Sequence, residues 1–362
     1  MLNLSKDKAI GIDLSESSVK VIQLAKKGKD VSLLSVNQKN IPFGLMQEGD
    51  IHDCSALAGE IKTAIKEVKG EKIKSNQVIC NLPEEKVFIR AIELPRMKKS
   101  EMNNAVRWEA ENHIPFSVDK VYLDWQVIKK ADKQNSKNLI LIAAAPRLLI
   151  DSYLNCLKEA GLEPIGLEPE SVALVRSLIA PEEKNESTMI IDMGFNGFSF
   201  VVYSAGAIRF SARVNISGQL FDQAVAEKMN VSFKEAERLK IQVGLDKDKD
   251  PKVFKALQVV VDKVAEKAEE YISYYTGYKD RKADPNKTVS RILLCGGDAF
   301  LNNLPEYLSK KINLPVKMGN PWVNIYPFIP KKAQKLGFSY KTSLAYTVAL
   351  GLALGKMKND QD

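Results

Sequence analysis

The stretch "AIGIDLSESSVKVIQLAKKG", residues 9–28, places one acid where a strand ends. Asp13 closes the apolar run Ala9-Ile10-Gly11-Ile12 and precedes four small or acidic turn residues. Val19, Val21, Ile22 and Leu24 then resume a strand pattern. A carboxylate at the end of a buried strand is costly unless something nearby stabilises it. The same arrangement returns about half a chain later in "TMIIDMGFNGFSFVVYSAG", residues 188–206, with Asp192 in the place of Asp13. Each unit predicts a hairpin, and each is followed by a third strand, "VSLLSVNQKNI" and "AIRFSARVNI". Internal repetition on this scale predicts two similar α/β halves.

Composition sets the frame. The chain has 362 residues, 45% hydrophobic and 27% charged, enough for two or three domains. Its 53 basic and 45 acidic residues are interspersed, so the net charge of +8 reads as a solvated surface. Aromatic and basic residues do not alternate as in a base-stacking surface, so no nucleic-acid partner is expected. Cys54, Cys80, Cys156 and Cys295 form no C-x-x-C pair, and with only His52 and His113 beside them neither zinc nor haem is expected. Reduced thiols, no signal peptide and no run near the ~18–20 residues of a membrane span predict a cytoplasmic protein.

Helices are predicted between the strands: residues 53–69 with Gly70 as the stop, 100–113 ended by Pro115, 218–229, and a helix opened by the capping box "SFKE" at 232–235. Asp250-Pro251 opens a long helix toward Tyr278. "ILLCGGDAFLNNLPEYLSKK" reads as buried strand, glycine turn and helix. The resulting plan has a first-lobe core of residues 1–81 and 163–187 with an α+β insertion at 82–162. A second-lobe core of 188–226 and 288–362 carries a mainly helical insertion at 227–287, bounded by exposed loops at 246–250 and 279–287.

A polyphosphate with Mg²⁺ needs rigid carboxylates for the hydrated metal and tight turns of small residues for the phosphates. Asp13 with Ser15, Ser17 and Ser18, and Asp192 with Gly194, Phe195, Asn196 and Gly197, each supply one of both. If the halves face each other across a cleft, both turns converge on one phosphate tail. Lys20 follows the first turn, where its ammonium could reach phosphate, and it reads equally well as an exposed strand lysine. Gly296 and Gly297 let the backbone lie flat against a base.

The order phosphate, phosphate, adenosine resembles the actin-like ATPase superfamily of actin, Hsp70, sugar kinases and FtsA. That resemblance implies an α/β fold of two RNase H-like lobes, with ATP and Mg²⁺ as ligands and Asp13 and Asp192 holding the metal through water. "GLEPESVALV", residues 166–175, is similar to the linking helix between lobes, which implies a water-positioning role for Glu168. "AERLK", residues 236–240, is similar to the ribose-contacting helix and implies Glu237 and Lys240; Gly218 and Asp298 complete the adenosine side. Where relatives carry a threonine or serine late in the second turn, this chain has Gly197-Phe198, with Ser199 one position further. Where they carry Gly-Gly it has Ser217-Gly218. Binding survives such changes, whereas phosphoryl transfer depends on exact placement of water and charge, so hydrolysis is expected to be slow at most.

Within the superfamily, "AVRWEAENHIPFSVDKVYLDWQVI", residues 105–128, and "SYKTSLAYTVALGLALG" near the C-terminus resemble the PilM family, the cytoplasmic actin-like component of type IV pilus assembly. The resemblance implies a partner, the N-terminal cytoplasmic peptide of PilN, in a groove at the insertion, for which Ile114, Pro115 and Phe116 are the candidates. Trp108 and Trp125 read equally well as insertion core. Contacts with other platform proteins and self-association are further implications, and "GKMKNDQD" offers no apolar face to a membrane, so association with the inner membrane is expected through the partner. An FtsA-like division filament and a small-molecule kinase of the same superfamily stay open as alternatives.

Overall fold

A computed structural model describes residues 7–27, 30–131, 136–277, 288–325 and 336–358. The chain divides into two compact units, the first drawn from Met1–Glu183, Gly206–Ile208 and Asn320–Asp362, the second from Lys184–Ala205 and Arg209–Gly319.

In the first unit, β1 (Asp7–Leu14), β2 (Ser18–Lys27) and β3 (Asp30–Asn40) run antiparallel, with β1–β2 closing as a hairpin. Two short strands, β4 (Met46–Gln47) and β5 (Asp50–Ile51), precede helix α1 (Cys54–Lys66). The Asp53 side chain caps that helix by accepting from the Ala56 N–H at 2.9 Å. The predicted stop at Gly70 lies beyond the observed end. Gly70 has φ +108° and sits in β6 (Lys69–Gly70), where a Cβ would come 2.2 Å from the Leu34 oxygen, so it serves strand pairing instead. Next come β7 (Gln77–Leu82) and β8 (Phe88–Pro95), α2 (Lys99–Glu111), β9 (Val121–Lys129) and β10 (Lys137–Pro146). Helix α3 (Arg147–Glu159), β11 (Glu163–Pro169) and α4 (Glu170–Leu178) complete the series. The main sheet has the order β11-β7-β1-β2-β3-β6, with β7 parallel to both β1 and β11.

Strand alternation decides which residue faces which layer. Ile10, Ile12, Leu14, Val19 and Val21 pack toward α1 and α3, while Ala9, Ile22 and Leu24 pack toward a C-terminal helix, Thr347–Lys358. That helix is apolar nearly all round, as a helix buried on every side must be. Gly11 makes its approach possible: a Cβ there would lie 2.2 Å from the Ala349 oxygen. The plan drawn from the sequence puts 288–362 in the second lobe, and here the structure differs, because Asn320–Asp362 counts with the first unit.

The 82–162 segment builds its own antiparallel sheet, β8-β10-β9. Against it lies α2, enclosing Ile92, Val106, Ala110, Ile140 and Ile142.

The second unit repeats the first. Its sheet, β14-β13-β12-β15-β16, comprises β12 (Thr188–Met193), β13 (Phe198–Ser204), β14 (Ala207–Val214), β15 (Arg291–Cys295) and β16 (Val316–Met318). Strand for strand this matches β3-β2-β1-β7-β11, with an antiparallel hairpin and a parallel central neighbour in each. Its helices are α5 (Gly218–Met229), α6 (Phe233–Val243), α7 (Pro251–Gly277) and α8 (Leu304–Ile312). The Ser232 hydroxyl caps α6 by accepting from the Glu235 N–H, and the Asp250 carboxylate caps α7 by accepting from Lys252 and Val253. The expected loop at 279–287 lies outside the described residues, as does Tyr278.

Candidate functional site

Asp13 pairs across the first hairpin with Lys20, whose Nζ lies 2.9 Å from its Oδ2. Both side chains are largely buried, on the sheet face that carries Gly11 and the C-terminal helix. The lysine expected to reach phosphate therefore neutralises the expected metal ligand in this structure. As it stands the Asp13 carboxylate has one oxygen on an ammonium, and among the described residues it belongs to no group of three metal-ligating side chains.

The turn after Asp13 is fixed from two sides. The Ser15 N–H and hydroxyl both donate to the Ser18 carbonyl at 3.0 Å, and the Ser18 N–H donates to the Ser15 hydroxyl at 3.1 Å. The Ser17 carbonyl accepts from the Ile41 N–H. At the strand end the Asn81 amide mimics a backbone partner: its Oδ1 accepts from the Leu14 N–H at 2.7 Å and its Nδ2 donates to the Leu14 oxygen at 3.0 Å. The same Nδ2 donates to Glu170 at 3.1 Å. Neither Asn81 nor Glu170 stands out in the sequence reading; the available signal was an Asn closing the apolar run "VIC" of β7.

Glu168 belongs elsewhere. Its Oε2 accepts from Arg176 Nη1 at 2.6 Å and its Oε1 from Nη2 at 3.1 Å, while Nη1 also donates to the Gly351 oxygen at 2.9 Å. The acid expected to position water thus has both oxygens on a guanidinium, and ties β11 to α4 and the C-terminal helix.

The second unit brings most of its expected residues together. The Gly194 and Phe195 carbonyls accept from the Gly218 and Gln219 N–H groups at the start of α5, at 3.2 and 3.4 Å. Asp192 closes β12 beside the glycine turn, where Cys295 Sγ donates to its Oδ1 at 3.6 Å. Gly296, with φ +91°, could carry no side chain, since a Cβ would fall 2.5 Å from both Asp192 Oδ1 and the Met193 oxygen. Asp298 in turn lies against Gly218, whose Cβ would meet its carboxylate oxygen at 1.9 Å. These contacts make a small-residue cradle, in which glycines admit the Asp192 and Asp298 carboxylates against the backbone.

Lys240 anchors that cradle from beneath. Its Nζ lies 2.9 Å from Asp222 and 2.8 Å from Asp298, all three side chains nearly enclosed. Burial pulls the Lys240 ammonium down, but the Asp298 and Asp222 carboxylates outweigh it and hold its pKa above the usual lysine value. Burial pushes the Asp222 carboxyl up, and Lys240 only partly offsets this. Glu237, on the same helix, is exposed and outside the triad. Asp222 escaped the sequence reading, although an acid four residues after Gly218 on one face of α5 was the available cue.

At the insertion, Ile114 is 7% exposed and belongs to the local core, whereas Pro115 and Phe116 are exposed after α2. The groove expectation therefore loses Ile114. Trp108 points outward with 79% exposure, while Trp125 donates from Nε1 to the Asn103 side chain at 3.1 Å.

The repeated sheet order, with a glycine turn after β15, is the actin-like ATPase fold, and comparison with known proteins narrows it. A family model described as type IV pilus assembly protein PilM matches residues 11–357. The chain belongs to this PilM family. Among solved structures, the PilM–PilN type IV pilus biogenesis complex matches with a TM-score of 0.77 at 24% identity, over 98% of this chain and 99% of the other. MreB5 of Spiroplasma citri bound to ADP matches at TM-score 0.59 and 14% identity, over 98% of both chains. Cell division protein FtsA of Neisseria meningitidis serogroup B is 21% identical over 188 residues, 48% of this chain and 45% of that relative. The chain thus spans less than half the length of that curated relative. Among the described residues no helix is long and apolar enough to cross a membrane.

Proposed function

We propose that this PilM-family chain binds ATP with Mg²⁺ and the N-terminal cytoplasmic peptide of PilN, and couples nucleotide state to partner binding in a type IV pilus inner-membrane platform. The observation that carries the reading is the cradle of the second unit. There Asp192, the Gly194–Gly197 turn, the start of α5 at Gly218 and the Gly296–Asp298 turn are packed within side-chain-forbidding distances of one another.

In this reading Asp192 and Asp13 hold hydrated Mg²⁺, and the second turn and the Ser15–Ser18 turn take phosphate oxygens. Lys240 fixes the adenosine side through Asp298, and the exposed Glu237 would take a ribose hydroxyl. Bound Mg²⁺-ATP supplies a charged triphosphate whose presence or absence distinguishes two states of the protein. The departures in the second turn, together with the commitment of Glu168 to Arg176, favour a slow or silent ATPase that acts by occupancy. A PilM–PilN complex as structural neighbour supports PilN as partner, which would bring the chain to the inner membrane. Other platform proteins and self-association follow the same reading.

The test is titration of a fluorescent ATP analogue with Mg²⁺ against Asp13→Ala. We expect affinity to fall at least about tenfold, the order of one charge-assisted contact. Unchanged affinity would remove Asp13 from the site.

A further inference from the structure

The second turn lacks the hydroxyl that the superfamily resemblance leads one to expect. Ser199, the first hydroxyl after it, lies opposite Asp192 in the β12–β13 register. It is 1% exposed, and its Oγ is fully enclosed with no hydrogen-bond partner among the described residues. The hydroxyl is shut inside the sheet and is not presented at the turn.

An arginine lies beside this turn. A Cβ built on Gly197 would lie 3.0 Å from Arg213 Nε and 3.2 Å from its Cζ and Nη2. The guanidinium of this β14 residue therefore lies flat against the Gly197 α-carbon, an approach that a residue without a side chain permits best. The turn's polarity agrees with this placement. The Gly194 and Phe195 carbonyls are turned toward the N–H groups of α5. In planar trans peptides the N–H points opposite the carbonyl, so the Phe195 and Asn196 N–H groups point away from that helix. The turn thus carries a guanidinium beside Gly197 and two N–H groups directed away from α5, whose own first N–H groups are taken by the turn carbonyls.

We propose that Arg213 is a phosphate-binding residue of the second turn, replacing the missing hydroxyl with a planar, permanently charged donor that favours nucleoside polyphosphates over the nucleoside. The inference rests on the reading that this chain binds a nucleotide, and goes beyond it in naming the group that recognises phosphate charge. Arginine suits the task because its fork binds two oxygens of one phosphate. Gly197 is small because the fork lies on it.

Isothermal titration of the full chain with Mg²⁺-ATP, Mg²⁺-ADP and adenosine tests this in wild type, Arg213→Ala, Arg213→Lys and Gly197→Ala. We expect Arg213→Ala to weaken ATP by about tenfold or more, ADP by less, and adenosine not at all. Arg213→Lys regains part of the loss, because the charge remains while the fork is gone. Gly197→Ala, which keeps the charge but displaces the guanidinium, lowers ATP affinity and leaves adenosine unchanged. Retained adenosine binding reports an intact fold in each variant. Equal losses for all three ligands, or unchanged ATP affinity in both alanine variants, would overturn the inference alone. A wild-type chain that binds none of the three ligands would overturn the nucleotide reading and this inference with it.

Discussion

Glu168 shows how a single contact redirects a residue. From the sequence it is an acid before proline at the head of a helix; in the fold it is one arm of a fork with Arg176, at 2.6 and 3.1 Å. Glu168→Gln should therefore cost about 1–3 kcal/mol of stability, the range for hydrogen bonds to charged groups in a partly exposed pair. Urea denaturation reads this directly, while ATP-analogue affinity should stay at the wild-type value; a loss of affinity without a loss of stability would return Glu168 to the nucleotide. Lys240 is the opposite case, a surface-looking helix lysine that is 6% exposed between two acids. Lys240→Met leaves Asp222 and Asp298 buried without a cation, and should destabilise the protein by about 3–5 kcal/mol. The pH sign follows from the shifts. Lys240 has a raised pKa in the folded protein, so its contribution is complete below the usual lysine value and is lost as pH rises through the folded one. In Lys240→Met the raised Asp222 carboxyl dominates instead, so stability should increase on acidification as that group takes up its proton. Thermal melts between neutral and mildly acidic pH check this, and a flat profile would place the triad outside the energetics.

Among the elements, the C-terminal helix is admitted to its place by two glycines. A Cβ on Gly11 of β1 would meet the Ala349 oxygen at 2.2 Å, and one on Gly351 would meet the Ala173 oxygen of α4 at 1.9 Å. The helix is seated by backbone contact on both sides, so the neighbours have no flexible side chain to move aside. Gly11→Ala should destabilise the first unit by about 1–3 kcal/mol or more through overpacking, measured by denaturant midpoint. A neutral result would mean that the helix sits further from β1 than these distances say. The segment "SYKTSLAYTVALGLALG" was legible through its resemblance to the PilM family. Its destination was not, because a helix apolar all round carries no face that names its neighbour. The hairpins were legible for the opposite reason. Their alternation, the acid at the strand end and the small turn residues are all local, and the register that sets Asp13 opposite Lys20 follows from the length of the turn between them.

On the scale of the whole molecule, the five-strand order of the first sheet returns in the second, so one design is used twice. The insertion in the first unit bears the proposed partner surface, and its exposed Phe116 and Trp108 are what a peptide would cover. A carrier protein fused to the PilN N-terminal peptide should retain the full chain, and Phe116→Asp should weaken that retention at least about tenfold if the ring is buried on binding. Retention equal to wild type would move the partner away from the end of α2.

The amino-acid sequence by itself determined the two strand–acid–turn units, their order, the capped helices and the glycine turn, since each depends on residues within a few positions of one another. Only the tertiary structure decided that Glu168 belongs to Arg176, that Asp222 and Asp298 enclose Lys240, and that the final helix covers β1 rather than β12. Those outcomes depend on which charges are desolvated together and which backbones can touch, and both are settled only once the elements that carry them have packed.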